Sequence, residues 1–138
     1  MQPTPGTQSH TGGCQCGAVR FKVEVDASKG SRCNCSICTK LGMTTSIIKP
    51  DAFTLLSDAS KLSSHGNAIG SRHFCSTCGV HCYSNGHLDM LGGDFVSVNL
   101  NCIDDIDPDQ ITVVHWDGRH DNWEAGPRDR PWPVHTAG

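Results

Sequence analysis

Gly12-Gly13-Cys14-Gln15-Cys16-Gly17-Ala18-Val19-Arg20-Phe21-Lys22-Val23-Glu24-Val25 joins a close pair of thiols to a strand. Val19, Phe21, Val23 and Val25 alternate with Arg20, Lys22 and Glu24, the period of a strand with one buried face. In extended chain, side chains two apart point the same way, so Cys14 and Cys16 can present both sulfurs to one ion. The stretch therefore predicts a β-rich chain held by metal.

Two more cysteine clusters lie downstream, Cys33-Asn34-Cys35-Ser36-Ile37-Cys38 and Cys75-Ser76-Thr77-Cys78-Gly79. Cys75 and Cys78 have the gap of a metal knuckle, and Gly79 permits a tight turn whose N–H groups approach the sulfurs. With Cys14 and Cys16 they make a four-cysteine set, enough to close a tetrahedral structural zinc site. Cys33, Cys35 and Cys38 are three, which leaves a coordination position for chemistry. The alternative is closure of that second site by a fourth protein ligand, with Cys82, Cys102, His73 and His81 as candidates. His73 and His81 bracket the knuckle and read first as satisfied structural histidines. A proton-transfer role for His81 is the secondary reading, and Cys82 and Cys102 read as small buried apolar residues.

Around the clusters the pattern is of short strands. Residues 44–49 (TTSIIK), 53–56, 95–100 (FVSVNL) and 111–116 (ITVVHW) are expected strands, and residues 63–71 a weak strand or loop. Residues 28–32 read as a turn into the three-cysteine cluster, and residues 104–109, with four aspartates and a proline, as a turn with at most one helical turn. No amphipathic helix of useful length and no internal repeat appears. The expected class is mainly β, built of short antiparallel sheets. The expected organisation is a flexible tail over residues 1–11, a zinc-binding domain over 12–125 and an irregular Pro-rich segment over 126–138.

Composition agrees with one small domain. The 138 residues include nine cysteines but only 36% hydrophobic and 6% aromatic residues, so the core needs help from metal. Disulfides are the weaker alternative. The cysteine count is odd, Cys-x-Cys neighbours make poor bridge partners, and no export signal precedes them. Asn34-Cys35-Ser36 is then a chance match to a glycosylation acceptor. A net charge of −3 with no basic block argues against nucleic acid as the principal partner, and no apolar run is long enough for a membrane span. A cytoplasmic location is expected. Arg119, Lys40, Lys49 and Arg72 could meet carboxylates of an acidic ligand, with ordinary surface solvation as the default.

Gly13-Cys14-Gln15-Cys16-Gly17, Cys33-x-Cys35-x2-Cys38 and Phe74-Cys75-x2-Cys78-Gly79 with His81 behind it resemble the glutathione-dependent formaldehyde-activating enzyme family, whose wider group includes the centromere protein V domain. His115-Trp116-Asp117-Gly118-Arg119 and Asn122-Trp123 resemble the family's C-terminal part. The resemblance implies a β-tent fold of small sheets around zinc. It implies a structural zinc on Cys14, Cys16, Cys75 and Cys78, and a catalytic or glutathione-responsive zinc on Cys33, Cys35 and Cys38. The implied activity is condensation of glutathione, as co-substrate, with formaldehyde to S-hydroxymethylglutathione, the work of a carbon–sulfur lyase. Two other roles suit the same residues: a non-catalytic glutathione carrier, and a zinc-stabilised interaction module.

Overall fold

The structure is a computed structural model that describes residues 6–66 and 69–135. It is mainly β, 45% strand and 21% helical. A three-stranded antiparallel sheet joins β1 (Gln8–Gly13), β2 (Arg20–Val25) and β5 (Phe53–Leu55) in the order β1-β2-β5. The second sheet contains β3 (Lys29–Cys33), β4 (Thr45–Ile48), β6 (Leu62–Gly66), β7 (Gly70–Cys75), β8 (His81–Leu88), β9 (Gly93–Asn99) and β10 (Thr112–Trp116). Its order is β10-β3-β4-β9-β8-β7-β6, antiparallel throughout except for the parallel pair β10 and β3. The single α-helix among the described residues, α1 (Ser36–Leu41), is a turn and a half between β3 and β4, ended by Gly42 at φ 66°.

The alternation in β2 does what its pattern dictates. Val19, Phe21 and Val23 have no exposed surface, while Lys22 and Glu24 face solvent. They pack with Val98, Leu100, Cys82, Cys102 and Ile103, so the core lies between the two sheets. Phe53 bridges them, stacking on Phe21 at 5.4 Å and meeting Tyr83 of β8 at 4.2 Å. Burying a side chain such as Phe21 stabilises by about 1.5–3 kcal/mol. With so few large apolar residues the core supplies only a handful of such terms.

Two expectations need correction. Gln8 to His10 are not part of a loose tail but open β1, paired to β2 from Gln8↔Val25 to Gly13↔Arg20. Their polarity misled, because the strand has one outward face. His10 is buried and bonds Asp105 at 2.9 Å, and Thr11 Oγ1 donates to Asp104 at 2.9 Å. Residues 1–5 of the expected tail lie outside the described residues. Residues 28–32 are not simply a turn. Lys29 onward is β3, and Gly30 is there because a Cβ would lie 2.5 Å from Thr44 Cγ2. The strands expected over 44–49, 53–56, 95–100 and 111–116 fall within two residues of β4, β5, β9 and β10, whereas β8, the longest strand, went unread because His, Ser, Asn and Gly interrupt its apolar pattern. The doubtful stretch 63–71 is the β6–β7 hairpin, apart from residues 67–68, which lie outside the described residues. Residues 126–135 are irregular save for a bridge between Arg128 and His115, and 136–138 lie outside the described residues.

Candidate metal centres

The Sγ atoms of Cys14, Cys16, Cys75 and Cys78 all lie within 4.8 Å of one another. Cys14 and Cys16 come from the β1–β2 connection in the small sheet, Cys75 from the end of β7 and Cys78 from the β7–β8 turn in the large one. Cys14–Cys16 and Cys16–Cys75 sulfurs are each 3.6 Å apart. Four thiolates at about 2.3 Å from a tetrahedral zinc stand about 3.8 Å from one another, so the set has the right size and donor type. Backbone N–H groups already point at the sulfurs. Val19 donates to Cys14 at 3.2 Å, and Thr77 and Cys78 donate to Cys75 at 3.3 and 3.4 Å. Gly79, at φ 80°, makes the knuckle turn possible.

Protonation in this cluster is uneven. The Val80 N–H leads the groups that draw Cys78 down to about 6, and the Cys78 N–H lowers Cys75. The Ala18 N–H also lowers Cys16, but thiol hydrogen bonds from Cys14 and Cys75 outweigh it and raise Cys16 to about 11. Sulfurs this close share protons, and only a cation lets all four ionise together.

The second cluster has a different setting. Cys33 ends β3, Cys35 is the N-cap residue of α1 and Cys38 lies within α1, so one strand-to-helix turn aims all three sulfurs inward. They also lie within 4.8 Å of one another, each half-buried. A hydrogen bond from Cys38 draws Cys33 down to about 5, helped by the N–H groups of Cys35 and Gly118, while that same bond pushes Cys38 up. Among the described residues no further His, Cys, Asp or Glu joins these three. The donor set suits zinc with one position left for an exchangeable ligand.

The glutathione-dependent formaldehyde-activating enzyme family model matches residues 9–116, and so spans both clusters. The chain belongs to that family. Its fold is similar to that in the crystal structure of a Rhodobacter sphaeroides protein, with a TM-score of 0.66 and 24% identity over 77% of this chain and 98% of that one.

In this family member, the segment after β10 forms a wall beside the three-cysteine cluster. The parallel register places Trp116 opposite Cys33. Beyond it, a 3-10 turn over Gly118–His120 passes so close that a Cβ on Gly118 would lie 2.5 Å from Cys33 Sγ and 2.8 Å from the Trp123 ring. Asp117, 5% exposed, accepts hydrogen bonds from Asn34 Nδ2 at 2.8 Å, His120 Nδ1 at 2.7 Å and Asn122 Nδ2 at 3.3 Å. Burial pushes its carboxyl up, but these three bonds more than offset that and leave it below the usual range. Arg119 is no ordinary surface arginine. Its backbone N–H donates to Asn34 Oδ1 and its Nε to Asn34 O, both at 2.9 Å. Asn34 sits between two of the cysteines, so Asp117 and Arg119 fix the loop that carries them. Trp116-Asp117-Gly118 alone could not reveal this, because nothing local announces a parallel pairing with β3.

Elsewhere the structure separates what the sequence left open. Cys82 and Cys102 are buried in the core and donate to the carbonyls of Val80 and His81, each at 3.6 Å. His73 is satisfied, with Nδ1 on Ser64 at 2.6 Å and Nε2 on Asn85. His81 is not. Its ring stacks on Phe74 and its buried Nδ1 has no hydrogen-bond partner among the described residues. Burial, then Arg72 and His65, hold its pKa below the usual value. None of these four residues joins the three-cysteine cluster. No helix among the described residues is long and apolar enough to cross a membrane.

Proposed function

We propose that this protein condenses glutathione, or a similar thiol, with formaldehyde or another small carbonyl compound to give a hemithioacetal, and catalyses the reverse cleavage as a carbon–sulfur lyase. The observation that carries the reading is the contrast between four convergent sulfurs and three. Cys14, Cys16, Cys75 and Cys78 would hold a structural zinc. Cys33, Cys35 and Cys38 would hold a second one, which when bound supplies a centre that keeps an incoming thiol ionised and nucleophilic at neutral pH.

The protein's own groups orient and shield that position. The N–H groups of Cys35 and Gly118 donate to Cys33 Sγ and spread its charge. Trp116 and Trp123, their rings 6.0 Å apart, give an apolar wall that limits water on one side. Asn34, held by Asp117 and Arg119, keeps the cysteine loop in one conformation, so the reacting sulfur and carbonyl meet in fixed geometry.

Glutathione binding to the zinc-loaded protein tests this, measured for the native chain and for Cys35→Ser. Lost binding with retained folding supports the open site, and unchanged binding contradicts it. Thiol addition to formaldehyde also proceeds unaided, so the catalytic claim needs kinetics. If substoichiometric protein leaves the rate of hemithioacetal formation unchanged, the molecule is a glutathione carrier and not an enzyme.

A further inference from the structure

Resting on that reading, the reaction must move one proton from the thiol to the carbonyl oxygen, and no group described so far performs the transfer. His120 stands on the Gly118–His120 turn whose first residue touches Cys33 Sγ. Its Nδ1 is committed to Asp117 Oδ1 at 2.7 Å. The same oxygen receives the Asn34 amide at 2.8 Å, from between Cys33 and Cys35. Imidazole and cysteine loop thus meet on one carboxylate atom.

That carboxylate is buried and also bonded by Asn122, so it cannot swing away. A carboxylate at Nδ1 keeps the proton on that nitrogen and leaves the Nε2 lone pair free. The partly exposed imidazole makes no hydrogen bond through Nε2 to any described group. The turn is specified by more than one contact. Asp121, which ends it, holds φ 54°, the one positive value outside glycine among the described residues, and its carboxylate accepts from Trp123 Nε1 at 2.7 Å. A Trp ring, a buried Asp and a left-handed backbone all fix the turn that carries the imidazole, one carboxylate away from the loop of the three sulfurs.

We infer that His120 is the general acid–base residue of the condensation, oriented by Asp117. Nε2 takes the proton leaving the thiol. The sulfur lone pair then forms the C–S bond, the carbonyl π pair moves onto oxygen, and the imidazolium returns that proton to the oxygen. Cleavage runs the same transfers backward, and no other reactant is consumed. His81, the sequence candidate, lies next to the four-cysteine knuckle and makes no bond to Asn34 or to the three-cysteine loop.

The test compares the zinc-loaded native chain with His120→Ala and His120→Gln, reading turnover of glutathione and formaldehyde by exchange NMR and glutathione affinity by calorimetry. Loss of a positioned acid–base group lowers kcat by about 10²-fold or more. Affinity stays within about twofold, since uniform binding is untouched, and added imidazole restores part of the turnover of His120→Ala but not of His120→Gln. Native turnover in both variants overturns the role of His120 while leaving the proposed reaction standing. So does a loss of turnover that imidazole does not restore in His120→Ala. Absence of turnover in the native chain overturns both.

Discussion

At the residue scale, charge placement makes predictions independent of metal. His87 Nδ1 lies 2.7 Å from Asp94 and its Nε2 3.3 Å from Asp89. The Asp94 hydrogen bond, then that from Asp89, raises the imidazole above its usual 6.5. A raised folded-state value means the stabilisation is complete below 6.5 and fades as pH rises through the folded value. The melting temperature of His87→Gln should therefore fall below that of the native chain near pH 6, with the gap closing as the buffer is taken to mildly alkaline pH. The ring is exposed, so the gap is small and shrinks in high salt. A gap that widens with pH contradicts the assignment. Residue identities were legible here only in part. The cysteine spacing announced both sulfur clusters, whereas His120 and His87 looked alike in the sequence. One acquires a buried carboxylate through a 3-10 turn and the other acquires surface aspartates, Asp94 from the neighbouring strand and Asp89 from the turn before it.

At the scale of elements, the pairing of β10 with β3 matters most for chemistry. It brings a segment from residues 116–123 against a loop from residues 33–38. Gly118 is the tightest point of that approach, and Gly118→Ala is predicted to push the turn off Cys33 and Trp123. Its Cβ would enter at 2.5 Å, a separation that demands backbone movement. Metal at the three-cysteine cluster should become easier to remove and turnover should fall at least tenfold, with little change in thermal stability, since the turn packs outside the main core. Retention of metal and rate would show that the wall is incidental. The strands themselves were readable from alternation, as Val19 to Val25 shows. β3, β8 and the first half of β1 were not, because Gly, Ser, Asn, Gln and Thr carry no apolar period. They become strands through pairing with neighbours, an influence of tertiary context on weak local preference. The parallel pair was hidden for a related reason, since register across distant segments leaves no trace in spacing.

At the scale of the whole molecule, the four-cysteine cluster spans both sheets and the three-cysteine cluster lies within one strand-to-helix turn. The consequences of ligand loss should differ accordingly. Cys75→Ser removes a tie between the sheets of a chain with a modest core and is expected to abolish native folding, seen by loss of dispersed NMR signals. Cys35→Ser is expected to fold and to lose only thiol binding. A well-folded Cys75→Ser variant would reverse that division of labour. The mainly β class, the family resemblance and the two cysteine sets were all present in the sequence, because metal ligands need fixed spacing and strands need alternation. The joining of the sheets by one cysteine cluster followed from which cysteines converge. The central claim, one saturated site and one with a vacancy, is tested most directly by native mass spectrometry under reducing conditions, with and without glutathione. The account predicts two zinc ions per chain and one glutathione adduct that disappears in Cys35→Ser. A single zinc per fully reduced chain, or an adduct indifferent to Cys35, would contradict it.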